Sequence, residues 1–381
     1  MQELINFFNS SGAYSITWQQ LVMLSVGIFF IYLAIQKEME PYELLPIGLG
    51  VIIANLPLTN MLASPENAVN YQEAGLFGII FYYGLAFWNI LPPIIFLGIG
   101  SLTDFTSLIA NPKTLLLGAA AQIGIFIAFW GAILTGQFNI SQAASIGIIG
   151  GADGPTTIFL SALIAPELLG ITAVIAYSYM ATIAFIQPPI MKLLTTKKER
   201  GIIMAAPREV SKLEKLLLPP LAMVIIILIV PKSAPLISML MIGNLFKESG
   251  VVPRLTNASS NEILNIATIF LMLTVGTQLS AERVFNIETL LILCLGLLAF
   301  SCGTATGLLS AKFMNVFLKK KINPLIGSAG VSAVPMAARI SHHIGQESDN
   351  KVFLLPHAMG PNVAGVIGSA VVAGVFVSFL A

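Results

Sequence analysis

Residues 146–161 read Ile146-Gly-Ile-Ile-Gly-Gly-Ala-Asp153-Gly-Pro-Thr-Thr-Ile-Phe-Leu-Ser161, a single carboxylate set between glycines and a proline with apolar sequence on either side. From Phe105 to Pro166 the only other ionic side chain is Lys113. A charge inside an apolar run is costly, and in membrane segments such a residue marks an ion or proton pathway. The glycines and Pro155 interrupt a helix at the same place, and non-helical backbone at membrane depth is tolerated only where protein or a cavity satisfies it. The stretch therefore predicts a broken or re-entrant hairpin over 143–166 with Asp153 at its turn.

Composition places the whole chain in a membrane. Of its 381 residues 56% are hydrophobic and 10% charged, whereas soluble domains carry about 25% charged residues. The mean hydropathy is +0.88. A net charge of +1 with no long basic block argues against nucleic acid as a partner. The first twenty residues lack Lys and Arg, so the basic start of a secretory signal is missing and the first apolar stretch is expected to remain as a span. Cys294 and Cys302 lie in an apolar segment, near one helix face, where each reads as a small hydrophobe. No zinc spacing, P-loop or dinucleotide fingerprint occurs in a plausible setting.

Apolar runs of about twenty residues read as spans, and the chain offers them at 16–36, 114–137, 168–191, 289–311 and 352–381. Prolines break others: Pro46 and Pro57 interrupt 44–61, and the Pro92-Pro93 pair is expected to kink 74–101. Short segments follow at 216–231, 234–246 and 263–279, with polar loops expected at 247–262 and 341–351. Lys192, Lys197, Lys198, Arg200, Arg208, Lys212 and Lys215 make 192–215 the most polar part of the chain, and the positive-inside rule sets it in the cytoplasm. The same rule puts Lys312, Lys319, Lys320 and Lys321 there.

The chain also repeats itself. Ile146 to Pro155 laid over Ile326 to Pro335 matches Ile, Gly, Gly and Pro at four of ten positions, and Ser161 falls over Ser341. Upstream, Gly100-Ser-Leu-Thr followed by Thr114-Leu-Leu-Leu resembles Gly276-Thr-Gln-Leu-Ser followed by Thr289-Leu-Leu-Ile. The span ending at Lys312 must run inward, whereas its counterpart starting at Lys113 must run outward, so the halves are inverted. The expected division is 1–191 as a first membrane half with hairpin 143–166, 192–215 as a basic cytoplasmic linker, and 216–381 as a second, inverted half with hairpin 323–340. Broken segments at matching places in two halves are the sequence pointer to a transporter's binding site.

Asp153 reads either as a helix N-cap near the interface or as a cation ligand, and the glycines and the repeat favour depth. A carboxylate beside Thr156 and Thr157 offers the oxygen ligands that hard cations take, and in low dielectric it is readily protonated. One side chain could thus exchange Na+ for H+. In the second hairpin Asn323, Ser328 and Ser332 supply oxygens, and Gly327 and Gly330 permit close backbone approach. Arg339 at its exit reads as a headgroup arginine, an anion contact or a counter-charge to Asp153. Tyr179 sits mid-span, as a site residue or in packing, and Asn362 is an amide in the last span, with an interhelical contact as its plainer role. Gly303-x-x-x-Gly307 favours close helix packing.

These residues resemble one family, the membrane-embedded beta subunit of the sodium-translocating, biotin-dependent decarboxylases acting on oxaloacetate, methylmalonyl-CoA, glutaconyl-CoA or malonate. The resemblance rests on Gly150-Gly-Ala-Asp-Gly-Pro-Thr156, Asn323 through Arg339, and His357-Ala-Met-Gly-Pro-Asn-Val-Ala-Gly-Val-Ile-Gly-Ser369. It implies an all-α polytopic membrane protein of two inverted repeats, divided elevator-like into scaffold and core, in the inner membrane of a bacterium. It implies decarboxylation of carboxybiotin, presented by a partner's biotin carrier and not bound covalently to this chain, coupled to outward Na+ transport with consumption of an external proton. Asp153 and Arg339 would serve the reaction, and Asp153, Tyr179, Asn323, Gly327, Ser332 and Asn362 the sodium sites. The implied partners are a carboxyltransferase subunit, the carrier, a small membrane subunit, lipid and further copies of the chain. The rival reading is a free-standing Na+-coupled secondary transporter or Na+/H+ antiporter.

Overall fold

The computed structural model describes residues 11–67, 73–284 and 286–381, and among these every regular element is a helix. The helices used below are α1 (Trp18–Gln36), α2 (Pro41–Ala54), α3 (Leu76–Phe87), α4 (Leu91–Leu102), α5 (Thr114–Leu134), α6 (Ile140–Gly151), α7 (Gly154–Ile164), α8 (Leu169–Leu194), α9 (Lys212–Ile229), α10 (Ala234–Ser249), α11 (Pro253–Thr277), α12 (Ile287–Phe317), α13 (Leu325–Ser328), α14 (Met336–Ser348) and α15 (Leu355–Leu380). Among the described residues five helices are long and apolar enough to cross a membrane, and up to seven spans result if each bent pair counts as one. The chain is an all-α polytopic membrane protein.

Several boundaries differ from the sequence expectation, each for a local reason. The kink in 74–101 lies before Pro92-Pro93: α3 and α4 meet at 76°, and Asn89 between them has a φ of 47°. The prolines begin α4, where a missing N–H costs nothing. The expected polar loop 247–262 is helical from Pro253 onward, and Asn257, Ser260 and Asn261 bond among themselves and to local carbonyls on its exposed side. The charged loop expected at 341–351 is helix to Ser348. There His343 pairs with Glu347 one turn on, and His342 Nδ1 accepts from the Leu354 amide at 3.1 Å. The segment 44–61 begins earlier and stops at Ala54, with Pro46 inside the helix. The span at 289–311 runs on to Phe317 because Lys312 turns its ammonium to the Leu194 carbonyl at 3.1 Å and to Glu199 at 3.0 Å.

Two close crossings place the site. α5 and α12 pass backbone to backbone at Gly124 and Gly303. One turn further along α12, Gly307 lies against the Gly327 carbonyl of α13, so both glycines of the Gly303-x-x-x-Gly307 pattern seat neighbours. Each hairpin is pinned by one serine pair: Ser145 to Ser161 at 2.6 Å in the first, Ser328 to Ser341 at 3.0 Å in the second. α8 then bends by 62° between Met180 and Thr182.

Gly307→Val would drive a side chain into the Gly327 carbonyl. A loss of about 1–3 kcal/mol of stability is expected, read as a lower thermal unfolding midpoint in detergent. At the polar end, the Lys192 ammonium, 2.7 Å from Glu347, holds that carboxyl below its ordinary range. A depressed carboxyl contributes stability at and above its unfolded pKa and loses it as pH falls through the folded value. Both groups are half exposed, so the effect is small and salt-sensitive. Lys192→Met should move the Glu347 titration, followed by NMR, upward.

Candidate functional site

The first hairpin turns where α6 tightens into a 3-10 turn over Ile148–Gly151 and Ala152 adopts a left-handed φ of 54°. Asp153 then caps α7, taking the Thr156 amide on Oδ1 at 3.2 Å and the Thr156 hydroxyl on Oδ2 at 2.7 Å. Its own carbonyl accepts from Thr157 Oγ1 at 2.8 Å. The carboxylate is only 4% exposed. N-cap and buried charge are therefore both true of it. Across the interface Ser369 of α15 donates to Oδ2 at 2.7 Å, and Ser332 donates to Ser369 at 3.2 Å.

The second hairpin is unwound between α13 and α14, and its carbonyls are held by three amides. Gln187 of α8 donates to the Ser328 carbonyl at 3.0 Å. Asn362 of α15 reaches the carbonyls of Ala329 at 2.9 Å, Val331 at 2.8 Å and Ala333 at 3.3 Å. Gln122 of α5 donates toward Gly330 at 3.5 Å and Gly365 at 3.4 Å. The two tips also meet directly, the Ser332 amide donating to the Gly151 carbonyl at 2.9 Å.

Three donors approach Asp153, all neutral, and no ion pair involves it among the described residues. The N-terminus of α7 favours its negative charge, but a buried carboxylate of this kind still calls for a proton or a cation. Oxygens suited to a hard cation are at hand. With their NH2 groups spent on carbonyls, Gln122 Oε1 and Asn362 Oδ1 are left buried and, among the described residues, unpartnered, and Gln122 Oε1 lies 3.5 Å from where a Cβ on Gly151 would stand. Carboxylate, hydroxyl and amide oxygens together fit Na+. Among the described residues no cluster of His, Cys, Asp and Glu suits a transition metal.

The predicted residues separate into two groups. Asp153, Ser332 and Asn362 come together at the tips. Tyr179 does not: it packs with Ile149, Ile175 and Leu295, and its hydroxyl donates to the Leu293 carbonyl. Asn323 spends its amide on the carbonyls of Arg200 at 2.7 Å and Ile202 at 3.0 Å, and its oxygen accepts the Leu325 amide, tying the basic loop to α13. Gly327 serves the α12 crossing. Arg339 is exposed on α14, with no hydrogen bond or ion pair among the described residues.

Residues missed by sequence reasoning are Ser369, Gln122 and Tyr177. Tyr177 is 3% exposed with a hydroxyl that has no hydrogen-bond partner among the described residues, and its ring occupies the space a Cβ on Gly154 would need. Two residues along a helix point to nearly opposite sides, so Tyr177 and Tyr179 cannot both face Asp153. Ser369 was within reach of sequence reasoning, since it ends the last of the three motifs.

A model of the family described as the Na+-transporting oxaloacetate decarboxylase beta subunit matches residues 19–380. The chain belongs to this family. Relatives of this beta subunit include the methylmalonyl-CoA decarboxylase subunit beta of Propionigenium modestum, 52% identical over 99% of each chain. The glutaconyl-CoA decarboxylase subunit beta of Acidaminococcus fermentans is 50% identical over 99% of this chain and 97% of its own. The probable oxaloacetate decarboxylase beta chain of Vibrio cholerae is 46% identical over the whole of both. The chain is thus a beta subunit of a Na+-transporting decarboxylase, and the tips of its two hairpins are the candidate site.

Removing the hydroxyl in Ser369→Ala takes one donor from ionised Asp153. A hydrogen bond to a charged group is worth about 1.5–3 kcal/mol, so the Na+ concentration for half-maximal decarboxylation in the intact complex should rise by about tenfold or more.

Proposed function

We propose that this beta subunit decarboxylates carboxybiotin, carried to it on a partner's biotin carrier, and couples the reaction to export of Na+ against uptake of an external proton. The observation that carries the reading is Asp153: a buried carboxylate with only neutral donors, held where two opposed hairpin tips touch. In its ionised form it takes Na+, with Ser369, Ser332, Gln122 and Asn362 offering further oxygens. In its protonated form it releases it. Asn323 and Gly327 hold the hairpin in place, and Tyr179 anchors α8 to α12.

Arg339, exposed and unpaired, is suited to attract the carboxylate of carboxybiotin from the cytoplasmic side. Two inverted halves, 1–191 and 216–381, would form a scaffold and a moving core joined by the basic linker 192–215, in the inner membrane of a bacterium. The pinned serine pairs and the paired crossing helices support that division. The complex would contain a carboxyltransferase, the biotin carrier, a small membrane subunit and further copies of the chain.

The test is Asp153→Asn in the reconstituted complex. Both carboxybiotin decarboxylation and 22Na+ uptake into inverted vesicles should be lost. Persistence of both at wild-type Na+ dependence would sink the reading.

A further inference from the structure

Two adjoining cavities that the sodium reading does not use lie at the end of the molecule carrying the basic loops. The first, of about 460 Å3, opens between the start of α5 and the end of α12. Leu117, Met314 and Phe317 line it together with Lys113, Lys319 and Lys320. The second, of about 560 Å3, shares Asn111, Thr114, Lys320 and Ile322 with the first and is also lined by the non-helical stretch 202–208. Among the described residues no acid lines either cavity.

The loop that presents two of these lysines is clamped. Asn315 of α12 donates to the Ile322 carbonyl at 2.7 Å and accepts the Ile322 amide at 2.8 Å, while the Lys321 ammonium reaches the Asn315 carbonyl at 2.5 Å. Residues 318–322 are thereby folded back on α12, which brings Lys319 and Lys320 to the cavity that Lys113 enters from the start of α5. Elsewhere on this face Lys312 is paired with Glu199 and Arg208 with Glu214. The ammonium groups of Lys113, Lys319 and Lys320 have no hydrogen bond or ion pair among the described residues.

Charge alone would suit any anion, but the surroundings are apolar. Phe313, Val316 and Phe317 of α12 and Leu116 of α5 are exposed, a surface for acyl chains beside the lysines. Basic pockets between spanning helices on the cytoplasmic side take anionic lipid headgroups. We propose that the phosphate of an anionic phospholipid of the phosphatidylglycerol class binds at Lys113, Lys319 and Lys320, with an acyl chain along Met314 and Phe317. Lys320 lines both cavities, so the lipid also braces the loop 318–322 against the linker 202–208. Asn323 carries that brace to the second hairpin through the carbonyls of Arg200 at 2.7 Å and Ile202 at 3.0 Å. The site goes beyond the sodium chemistry and uses none of the oxygens around Asp153.

A lysine beside an anionic lipid surface adds about fivefold to affinity. The purified full complex, delipidated in uncharged detergent, should bind fluorescent phosphatidylglycerol saturably, one molecule per beta chain. Joint replacement of Lys113, Lys319 and Lys320 by Gln should weaken this binding about a hundredfold, and joint replacement by Arg should retain it. Removing equal charge from the same face by changing Lys197, Lys198 and Lys212 to Gln should leave it intact. Undiminished binding by the first Gln triple overturns the site, as does an equal loss in the second. In the wild-type complex, phosphatidylcholine competing as well as phosphatidylglycerol removes the role of charge, and inorganic phosphate competing as well makes it a soluble-anion site and overturns the lipid.

Discussion

The structure depends on one constraint: backbone polar groups exposed by unwinding a helix inside a membrane must find partners in the protein. Both hairpins unwind at their tips, and each tip finds a partner in the other. The Ser332 amide of one tip takes the Gly151 carbonyl of the other. Gln122, Gln187 and Asn362, from three different helices, hold the remaining carbonyls of the second tip. Each unsatisfied group would cost several kcal/mol in hydrocarbon. The tips are thus fixed by each other and by amides whose oxygens, among the described residues, are left buried and without a partner.

That arrangement gives Asp153 its chemistry. Its charge meets only neutral donors, and under the proposed function a cation or a proton balances it. A basic partner would have fixed the carboxylate in one state. With neutral donors alone, the proposed exchange of Na+ for a proton has no fixed counter-charge to overcome. The site is also asymmetric, because the position matching Asp153 in the second hairpin is Ala333, and that hairpin contributes amide-held backbone and the Ser332 hydroxyl.

Much of this was legible in the sequence because it follows from local chemistry. The glycines and proline around Asp153 break a helix wherever they occur, and the runs of apolar residues need no tertiary context to demand a membrane. What the sequence left open was which side of a helix faces Asp153. Tyr177 and Tyr179 are equally polar and equally central in α8, and only packing shows that Tyr179 turns to Leu293 while Tyr177 lies on Gly154. Asn323 carries an amide as suitable as that of Asn362, yet it is occupied by the Arg200 and Ile202 carbonyls.

The sequence by itself determined the membrane setting, the two broken segments and the single acid of the first hairpin. Composition, helix breakers and the placement of lysines act over a few residues, so they can be read from the chain alone. Only the tertiary structure decided which oxygens surround Asp153 and that Tyr177 lies on Gly154. The Asp153 site gathers residues from α5, α7, α15 and the second tip, positions far apart in the chain. Their meeting depends on glycine-lined crossings and satisfied carbonyls, which no local pattern encodes.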